Sequence, residues 1–311
     1  QESRGLGDVY KRQKQRLMDS NAFSSPINSS VQENLIKVIG IGSGGCGIVR
    51  FIRQVRLENI SFATYDANVI ALDKYEDIFM EIQFSKILFI IAYMDEVIGM
   101  ETIPVIARVA KELNVTTVGI LIIPPSYDTT DGKILEQNKS IKNVMQYTDS
   151  LQIIHGKSIV SSLGADFNIQ NIINQHVLTI IGDIMNIITR NNMVAMDFAD
   201  INWALKGGGL GFVSSGIGKG RKRIENAIQD ALKLPLCDGL DISEAKRLLL
   251  NFTYGKEENV SLLKDMDTIK HFIETMSFVE TTFGFERGSN NISENAVKVT
   301  VVASGFEKNE K

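Results

Sequence analysis

Cysteine and histidine are scarce in this chain, which limits the covalent bridges and metal sites that it can form. Its 311 residues include two cysteines, Cys46 and Cys237, and three histidines that stand far apart in the sequence. Two cysteines are too few for a disulfide framework, and no cysteine or histidine has the close spacing of a zinc site. We therefore predict a cytoplasmic protein without a disulfide framework or a metal centre.

An excess of positive charge and long apolar runs are also lacking. Asp and Glu outnumber Lys and Arg by 37 to 33, which gives a formal net charge of −4. A surface with this balance has no overall attraction for nucleic acids or anionic membranes. No apolar run approaches the roughly 20 residues of a membrane-spanning helix. We therefore expect no nucleic-acid partner and no direct membrane contact.

Glycine, by contrast, is concentrated in the stretch IKVIGIGSGGCG, residues 36–47. An apolar run typical of a β-strand passes into five glycines within positions 40–47, and apolar residues at helical spacing follow. A strand, a glycine turn and a helix together direct backbone N–H groups at a phosphate. The residues predicted to line this phosphate cradle are Gly42, Ser43, Gly44, Gly45, Cys46 and Gly47. Cys46 is either a reactive thiol near a helix N-terminus or a small residue tolerated in a tight turn.

Strands and helices alternate after the glycine stretch. Apolar runs predict buried strands at 60–65, 87–92, 115–123 and 150–154, and helical spacing predicts a helix at 103–113. This alternation indicates a parallel sheet with helical crossovers. Residues 166–190 are apolar around most of a helical circumference, which predicts a long helix buried between two layers.

Six blocks of the chain, taken in order, resemble FtsZ, the bacterial homologue of tubulin. They are IKVIGIGSGGCG, PVIARVAKELNVTTVGI, ITRNNMVAMDFADI, SSGIGKG, LPLCDGLDISEAKRLLLNFT and VKVTVVASGF. The resemblance runs from Leu35 to Phe306. It implies an α/β fold with a Rossmann-like parallel-sheet GTPase domain, a long central helix and a smaller α/β activation domain.

The polar composition of the first 34 residues and, from Leu35 onwards, the resemblance divide the chain into segments. The expected segments are 1–34 as a disordered arm or a cloning scar, 35–165 as the nucleotide-binding domain, 166–190 as the central helix, 191–200 as an acidic synergy loop, 201–306 as the C-terminal activation domain and 307–311 as a tail. No long linker follows Phe306. Because the family reaches its membrane adaptors through such a linker and a terminal peptide, we expect no direct recruitment by those adaptors.

Members of the FtsZ family are GTPases that assemble head to tail, and the acidic loop of one subunit completes the nucleotide site of the next. By resemblance, Asp197 and Asp200 are catalytic residues that act on a neighbouring subunit's nucleotide, with Asp200 activating the water. Carboxylates suit this role because the attacking water must be oriented and must lose a proton. Alternatively, Asp200 is the N-cap of a helix that begins at Ile201. Ala195 stands where the family usually has Asn.

The residues that align with the family's second phosphate-binding loop depart from the family pattern. Where FtsZ has the signature GGGTGTG, this chain has AYMDEVIGMET at residues 92–102, which keeps one glycine, Gly99. Three carboxylates, Asp95, Glu96 and Glu101, stand where the phosphates are expected. Carboxylates repel phosphates, and side chains take the place of the backbone N–H groups that would bind them.

Other positions of the family's nucleotide site carry over in part. Asp128 remains for a ribose contact, although Gly132 stands where a basic residue is expected, and Asn174 and Gln175 lie where the base is bound. The interval 67–86 is too short for the helix and glycine loop that the family has there. We therefore expect GTP or GDP to bind weakly or not at all, with Mg²⁺ beside any nucleotide that does bind.

Three functions are consistent with these residues. The first is an FtsZ-like filament-forming or filament-modulating protein of cell division, which binds head to tail to itself or to a conventional FtsZ and has lost efficient GTP hydrolysis. The second is an active, polymerising GTPase. The third is an NAD(P)-dependent oxidoreductase, because Gly40, Gly42 and Gly45 followed by Asp66 match the dinucleotide-binding fingerprint.

Overall fold

The computed structural model describes residues 35–66, 75–127, 131–163, 167–189, 196–233, 240–255, 262–276, 279–289, 292–293 and 295–306. A single β-sheet runs through these residues. Its strands are β1 (Ile36–Ile41), β2 (Ile60–Tyr65), β3 (Ile87–Tyr93), β4 (Thr116–Ile123), β5 (Ser150–His155), β6 (Gly209–Lys219), β7 (Arg247–Gly255), β8 (Glu280–Ser289) and β9 (Ala296–Phe306). Their order is β2-β1-β3-β4-β5-β6-β9-β7-β8. Strands β1 to β6 pair in parallel, and β9 lies antiparallel between β6 and β7. The predicted mostly parallel α/β sheet is confirmed.

Helices cover both faces of this sheet. They are α1 (Gly42–Arg53), α2 (Tyr75–Ile82), α3 (Val97–Glu112), α4 (Asp131–Tyr147), α5 (Gly156–Leu163), α6 (Ile169–Thr189), α7 (Phe198–Leu205), α8 (Arg223–Leu232) and α9 (Leu262–Thr275). Short 3₁₀ helices lie at Gly220–Lys222 and Ile242–Glu244. One core contains α1, α5, α6 and α7, and the other contains α2, α3, α4, α8 and α9. The central strands are buried on both faces, which explains why they read as continuous apolar runs.

Strand β6 was not predicted, because it is rich in glycine. Gly216 and Gly218 lie beneath α8, where an added Cβ would overlap the backbone of that helix. The missing side chains therefore let α8 pack directly on the strand. A glycine-rich stretch of this kind carries no alternation of apolar and polar residues from which a strand could be predicted.

Helix α6 is the long central helix, and it begins and ends close to the predicted 166–190. By length and composition it is the one helix among the described residues that could span a membrane. In this fold its apolar face is buried in the core with α1 and α7. Its buried polar side chains have partners in the sheet: His176 contacts Gln152 on β5, and Asp183 pairs with Lys298 on β9.

Several local predictions need correction. The glycines of residues 42–47 lie inside α1 rather than in a turn before it, because the helix begins at the residue after β1. Asp200 lies in α7, which begins at Phe198, and not in a loop or before a helix at Ile201. The interval 67–86 holds the helix α2, and the expectation that it is too short for a glycine loop as well falls on residues 67–74, which lie outside the described residues.

The predicted division into a nucleotide-binding and an activation domain falls within one continuous sheet. Strand β5 joins β6 in parallel through Ser150 opposite Gly209 and Leu151 opposite Leu210. The domain boundaries themselves stay a prediction. Segments 1–34, 191–195 and 307–311 lie outside the described residues, as do Asp128 and Cys237.

Candidate functional site

The glycines at the start of α1 allow the helix to begin very close to the sheet. Gly42, its first residue, has a φ of 73°, which favours glycine because other residues are strained there. A Cβ on Gly40 would overlap the carbonyl group of Gly45, and a Cβ on Gly45 would overlap the carbonyl oxygen of Ile91 in β3. The α1 N-terminus therefore lies at the carboxyl ends of β1 and β3, where nucleotide phosphates bind in folds of this class.

A carboxylate of the chain itself occupies this N-terminus. Oε1 of Glu96 accepts a hydrogen bond from the backbone N–H of Gly44, at 3.0 Å, and another from the Ser43 hydroxyl. Oε2 lies so close to Gly42 that a Cβ there would overlap it. A carboxylate is stabilised at a helix N-terminus for the same reason as a phosphate, since both meet unpaired N–H groups and the positive end of the helix dipole.

Glu96 reaches α1 from the other side of the cradle. It is the N-cap residue of α3, yet its side chain makes no capping bond to α3. Its second oxygen, Oε2, is buried and has no hydrogen-bond partner among the described residues. The two neighbouring carboxylates that were predicted to lie near the phosphates, Asp95 and Glu101, are exposed.

The ring of Tyr93 closes the cradle over Gly44, where an added Cβ would overlap the ring. The Tyr93 hydroxyl donates a hydrogen bond to Oε1 of Gln170 at 2.8 Å, and Nε2 of Gln170 donates to Oδ1 of Asn174 at 2.9 Å. Burial raises the pKa of Tyr93, as do the charges of Asp95 and Glu96, while the bond to Gln170 lowers it. The phenol therefore remains a protonated donor that ties the end of β3 to α6.

The other predicted nucleotide contacts among the described residues are Asn174, Gln175 and Gly99, and their surroundings differ. Asn174 is linked to the cradle through Gln170 and Tyr93, whereas Gln175 is exposed. Gly99 is buried in the first turn of α3, and a Cβ there would lie 2.9 Å from Cβ of Ala92. This glycine therefore serves packing against β3. Whether these residues contact a nucleotide stays a prediction.

Cys46 points into the protein rather than towards the cradle. Its thiol is 3% exposed, and Sγ donates a hydrogen bond to the carbonyl oxygen of Gly40 at 3.4 Å. Burial raises the pKa of this thiol, and the charge of Asp66 raises it further. A buried, protonated thiol favours the interpretation of Cys46 as a small packing residue over that of a reactive nucleophile.

The two predicted catalytic aspartates form a capping box at the start of α7. Oδ1 of Asp197, the N-cap residue, accepts hydrogen bonds from the N–H groups of Ala199 and Asp200, at 2.6 and 3.4 Å. In return, Oδ2 of Asp200 accepts a bond from the N–H of Asp197 at 2.9 Å. Together these bonds satisfy three backbone N–H groups at the start of the helix, where N–H groups have no partner within the helix. One oxygen of each carboxylate makes no hydrogen bond among the described residues.

The capping box lies at the opposite edge of the sheet from the cradle. The ammonium group of Lys86, which precedes β3, lies 5.8 Å from the centre of the Phe198 ring, and Thr116 at the start of β4 donates a hydrogen bond to Asn202. The cradle, by contrast, follows the carboxyl ends of β1 and β3. The length of β3 separates the two sites by about 20 Å, so the aspartates of one subunit do not reach their own cradle.

Sequence reasoning missed Tyr93 and Gln170, and it treated Glu96 as a source of repulsion rather than as a ligand of α1. The place of Glu96 beside the start of α1 could have been predicted, because residues that follow neighbouring parallel strands meet at the same edge of a sheet. Within the described ranges, no group of three or more His, Cys, Asp or Glu side chains is arranged to hold a metal ion.

Comparisons with known proteins agree on one fold. Residues 209–307, which begin at β6, match the C-terminal domain model of the FtsZ family. The cell division protein FtsZ of Porphyromonas gingivalis is 28% identical over 313 aligned positions, covering 88% of this chain and 67% of that protein.

Solved structures extend the likeness along the chain. The empty FtsZ dimer of M. jannaschii aligns with a TM-score of 0.72 and 19% identity over 94% of this chain and 92% of that one. CetZ of Methanosaeta thermophila aligns with a TM-score of 0.65 and 15% identity, over 88% of this chain and 87% of that one. The predicted FtsZ and tubulin fold is therefore confirmed, and these comparisons lend no support to the oxidoreductase alternative.

Proposed function

The chain is an FtsZ-like protein, and on that premise we propose that it is a cytoplasmic protein of cell division that forms or modulates filaments of the FtsZ type. Its partner is a second copy of itself or a conventional FtsZ, bound head to tail. We further propose that its own binding and hydrolysis of GTP are weakened or lost. The end of the subunit that carries Asp197 and Asp200 would then still act on a neighbour's nucleotide, while the cradle at the other end would be closed to nucleotide.

The observation that carries this proposal is the position of the two sites at opposite edges of the sheet. Asp197 and Asp200 lie at the amino ends of the parallel strands, and the cradle lies at their carboxyl ends. A head-to-tail contact brings the acidic edge of one subunit to the cradle edge of the next. Repeating such a heterologous contact produces a filament.

The hydrogen bonds of the two aspartates and of the cradle support a modulating role. At the acidic end, the capping box orients both aspartates, and Oδ1 of Asp200 makes no hydrogen bond among the described residues. That oxygen would orient the water that attacks a neighbouring subunit's nucleotide and would accept its proton. At the other end, the Gly44 N–H and the Ser43 hydroxyl are bonded to Glu96. A subunit with these two ends would dock on a filament from one side and would offer the next subunit a poor site.

The test is to mix the purified protein with a conventional FtsZ and to measure GTP hydrolysis and filament length together. Asp200→Asn is the informative variant, because an asparagine oxygen can still accept the bond from the Asp197 N–H while the carboxylate is lost. We expect the wild type to change both readouts and Asp200→Asn to lose the effect on hydrolysis. Glu274→Gln, which removes an exposed carboxylate on α9, is the charge-matched control and should behave as the wild type. Hydrolysis by the partner that is unchanged in Asp200→Asn and Asp200→Ala would overturn the proposal.

An active GTPase is the second candidate, because α1 still begins with glycines at the edge of the sheet where nucleotides bind. Calorimetry with GTP, GDP and Mg²⁺ separates the two candidates. Micromolar binding, with hydrolysis that rises steeply with protein concentration, would favour the active GTPase. Absence of binding, together with an effect on a conventional FtsZ, would favour the modulator.

A further inference from the structure

We propose that Glu96 is a built-in anion, which takes the position of a nucleotide phosphate at the N-terminus of α1 and holds the cradle closed. This inference rests on the proposed function, since it names the residue that weakens the nucleotide site. It predicts that the closed state is reversible and that replacing this one side chain opens the cradle to phosphate groups.

The hydrogen bonds at the start of α1 support this role. The Gly44 N–H and the Ser43 hydroxyl are the donors that a phosphate at this N-terminus would use, and one oxygen of Glu96 accepts from both. The missing side chain of Gly42 leaves room for the other oxygen. The glycines of the cradle therefore accommodate a carboxylate of the chain itself, and the residues present do not fit a nucleotide phosphate in this arrangement.

Tyr93 closes the cradle at a second point. Its ring lies on Gly44, and its hydroxyl is bonded to Gln170 on α6. The side chains of Tyr93 and Glu96 therefore meet the first turn of α1 from the same strand end. A ligand that displaced Glu96 would also have to fit beside this ring.

The bond network also explains why the closed state can open. Oε2 of Glu96 is buried without a hydrogen-bond partner among the described residues, and burying an unpaired charged oxygen is unfavourable. The contact therefore combines two favourable bonds to Oε1 with an unfavourable burial of Oε2. Because Glu96 competes with a ligand for the cradle, the apparent affinity for the ligand is the affinity of the open site multiplied by the fraction of molecules in which the site is open.

The experiment uses the full chain and inorganic pyrophosphate as the probe, with calorimetry and thermal unfolding as readouts. Glu96→Ser is the main variant, because serine is a preferred N-cap residue and would cap α3 while removing the carboxylate from α1. Glu96→Gln retains the size of the side chain and an oxygen that can accept from Gly44. Asp95→Ser removes the neighbouring exposed carboxylate and is the charge control.

We expect pyrophosphate to bind Glu96→Ser at least about tenfold more tightly than the wild type, which corresponds to a cradle closed in about nine-tenths of molecules. Pyrophosphate should also raise the Tm of Glu96→Ser, since a ligand that binds the folded state stabilises it. The wild type, Glu96→Gln and Asp95→Ser should show little response. A similar gain in Asp95→Ser would point to a general charge effect and would overturn the inference.

The outcomes separate this inference from the proposed function. If neither the wild type nor Glu96→Ser binds pyrophosphate, the inference is wrong, while the proposed modulator with a defective nucleotide site stands. If the wild type binds GTP and pyrophosphate as tightly as Glu96→Ser does, the weakened site and the inference both fail. An effect on a conventional FtsZ is measured separately and depends on Asp200 rather than on Glu96.

Discussion

The side chain of Gln152 on β5 contacts Nε2 of His176 on α6 through its own Nε2, at 3.2 Å inside the protein. The same amide pairs with both backbone groups of Val213 on β6, accepting from its N–H at 3.1 Å and donating to its carbonyl at 3.3 Å. Because both bonds to Val213 fix the orientation of the amide, its N–H₂ group faces the histidine. His176 therefore accepts through Nε2 and carries its proton on Nδ1.

The buried histidine predicts a loss of stability in mild acid. Burial lowers the pKa of His176 to about 4 from its ordinary value of 6.5. Between these two values the unfolded chain binds a proton that the folded protein does not, so the free energy of unfolding should fall as the pH is lowered from 6.5 to 4. The slope contributed by this group approaches about 1.4 kcal/mol for each pH unit.

Urea unfolding at a series of pH values measures that slope. His176→Asn should flatten it, and His271→Gln, which changes an exposed histidine on α9, should leave it as in the wild type. A wild-type stability that stays level across this window would contradict the prediction.

Gln152 should contribute strongly to stability. Strand β5 pairs with β6 directly only through Ser150 and Leu151 among the described residues, and the Gln152 side chain extends the connection to Val213. Gln152→Leu would leave the buried polar groups of Val213 and His176 unpaired, so we expect a loss of about 3 kcal/mol in the free energy of unfolding. The measurement is urea unfolding, with Gln229→Leu on the exposed face of α8 as a control that should change little.

The capping box makes separate predictions for stability and for function. Asp197→Ala removes the N-cap of α7 and should lower the free energy of unfolding by about 1 kcal/mol. Asp197→Ser retains a capping oxygen and should restore most of that loss, while still lacking the carboxylate. Denaturation of both variants, beside the hydrolysis assay with a conventional FtsZ, distinguishes a capping role from a role in the filament. Equal stability of the Ala and Ser variants would show that the cap contributes little.

Two glycines in regular elements should respond to alanine in opposite directions. A Cβ on Gly216 in β6 would overlap the backbone of α8, which cannot move away easily, so Gly216→Ala should destabilise the protein by about 3 kcal/mol. A Cβ on Gly182 in α6 meets no atom within 4 Å. Gly182→Ala should therefore stabilise the protein by about 1 kcal/mol, since alanine favours the helix. Thermal unfolding of the pair checks both signs.

The sequence by itself determined the class of fold and most of the strands. Buried parallel strands such as β3 and β4 are continuous apolar runs, and the long apolar α6 shows helical spacing, so both could be predicted from local pattern. The order of the blocks that resemble FtsZ was also readable without a structure. Strand β6 was not, because its glycines fit against the backbone of α8, and a contact between two separate elements is not visible in a local pattern.

Only the tertiary structure decided how the candidate sites are built. Glu96 and Gly44 are 52 residues apart, and their bond exists because β1 and β3 are neighbours in the sheet and because the Glu96 side chain turns away from its own helix. A charge that sequence reasoning could treat only as repulsive proved to be a hydrogen-bond acceptor in the cradle. The distance between Asp200 and that cradle likewise follows from the direction of the strands. Periodicity is local along the chain, whereas hydrogen bonds and distances of this kind depend on which strands lie side by side.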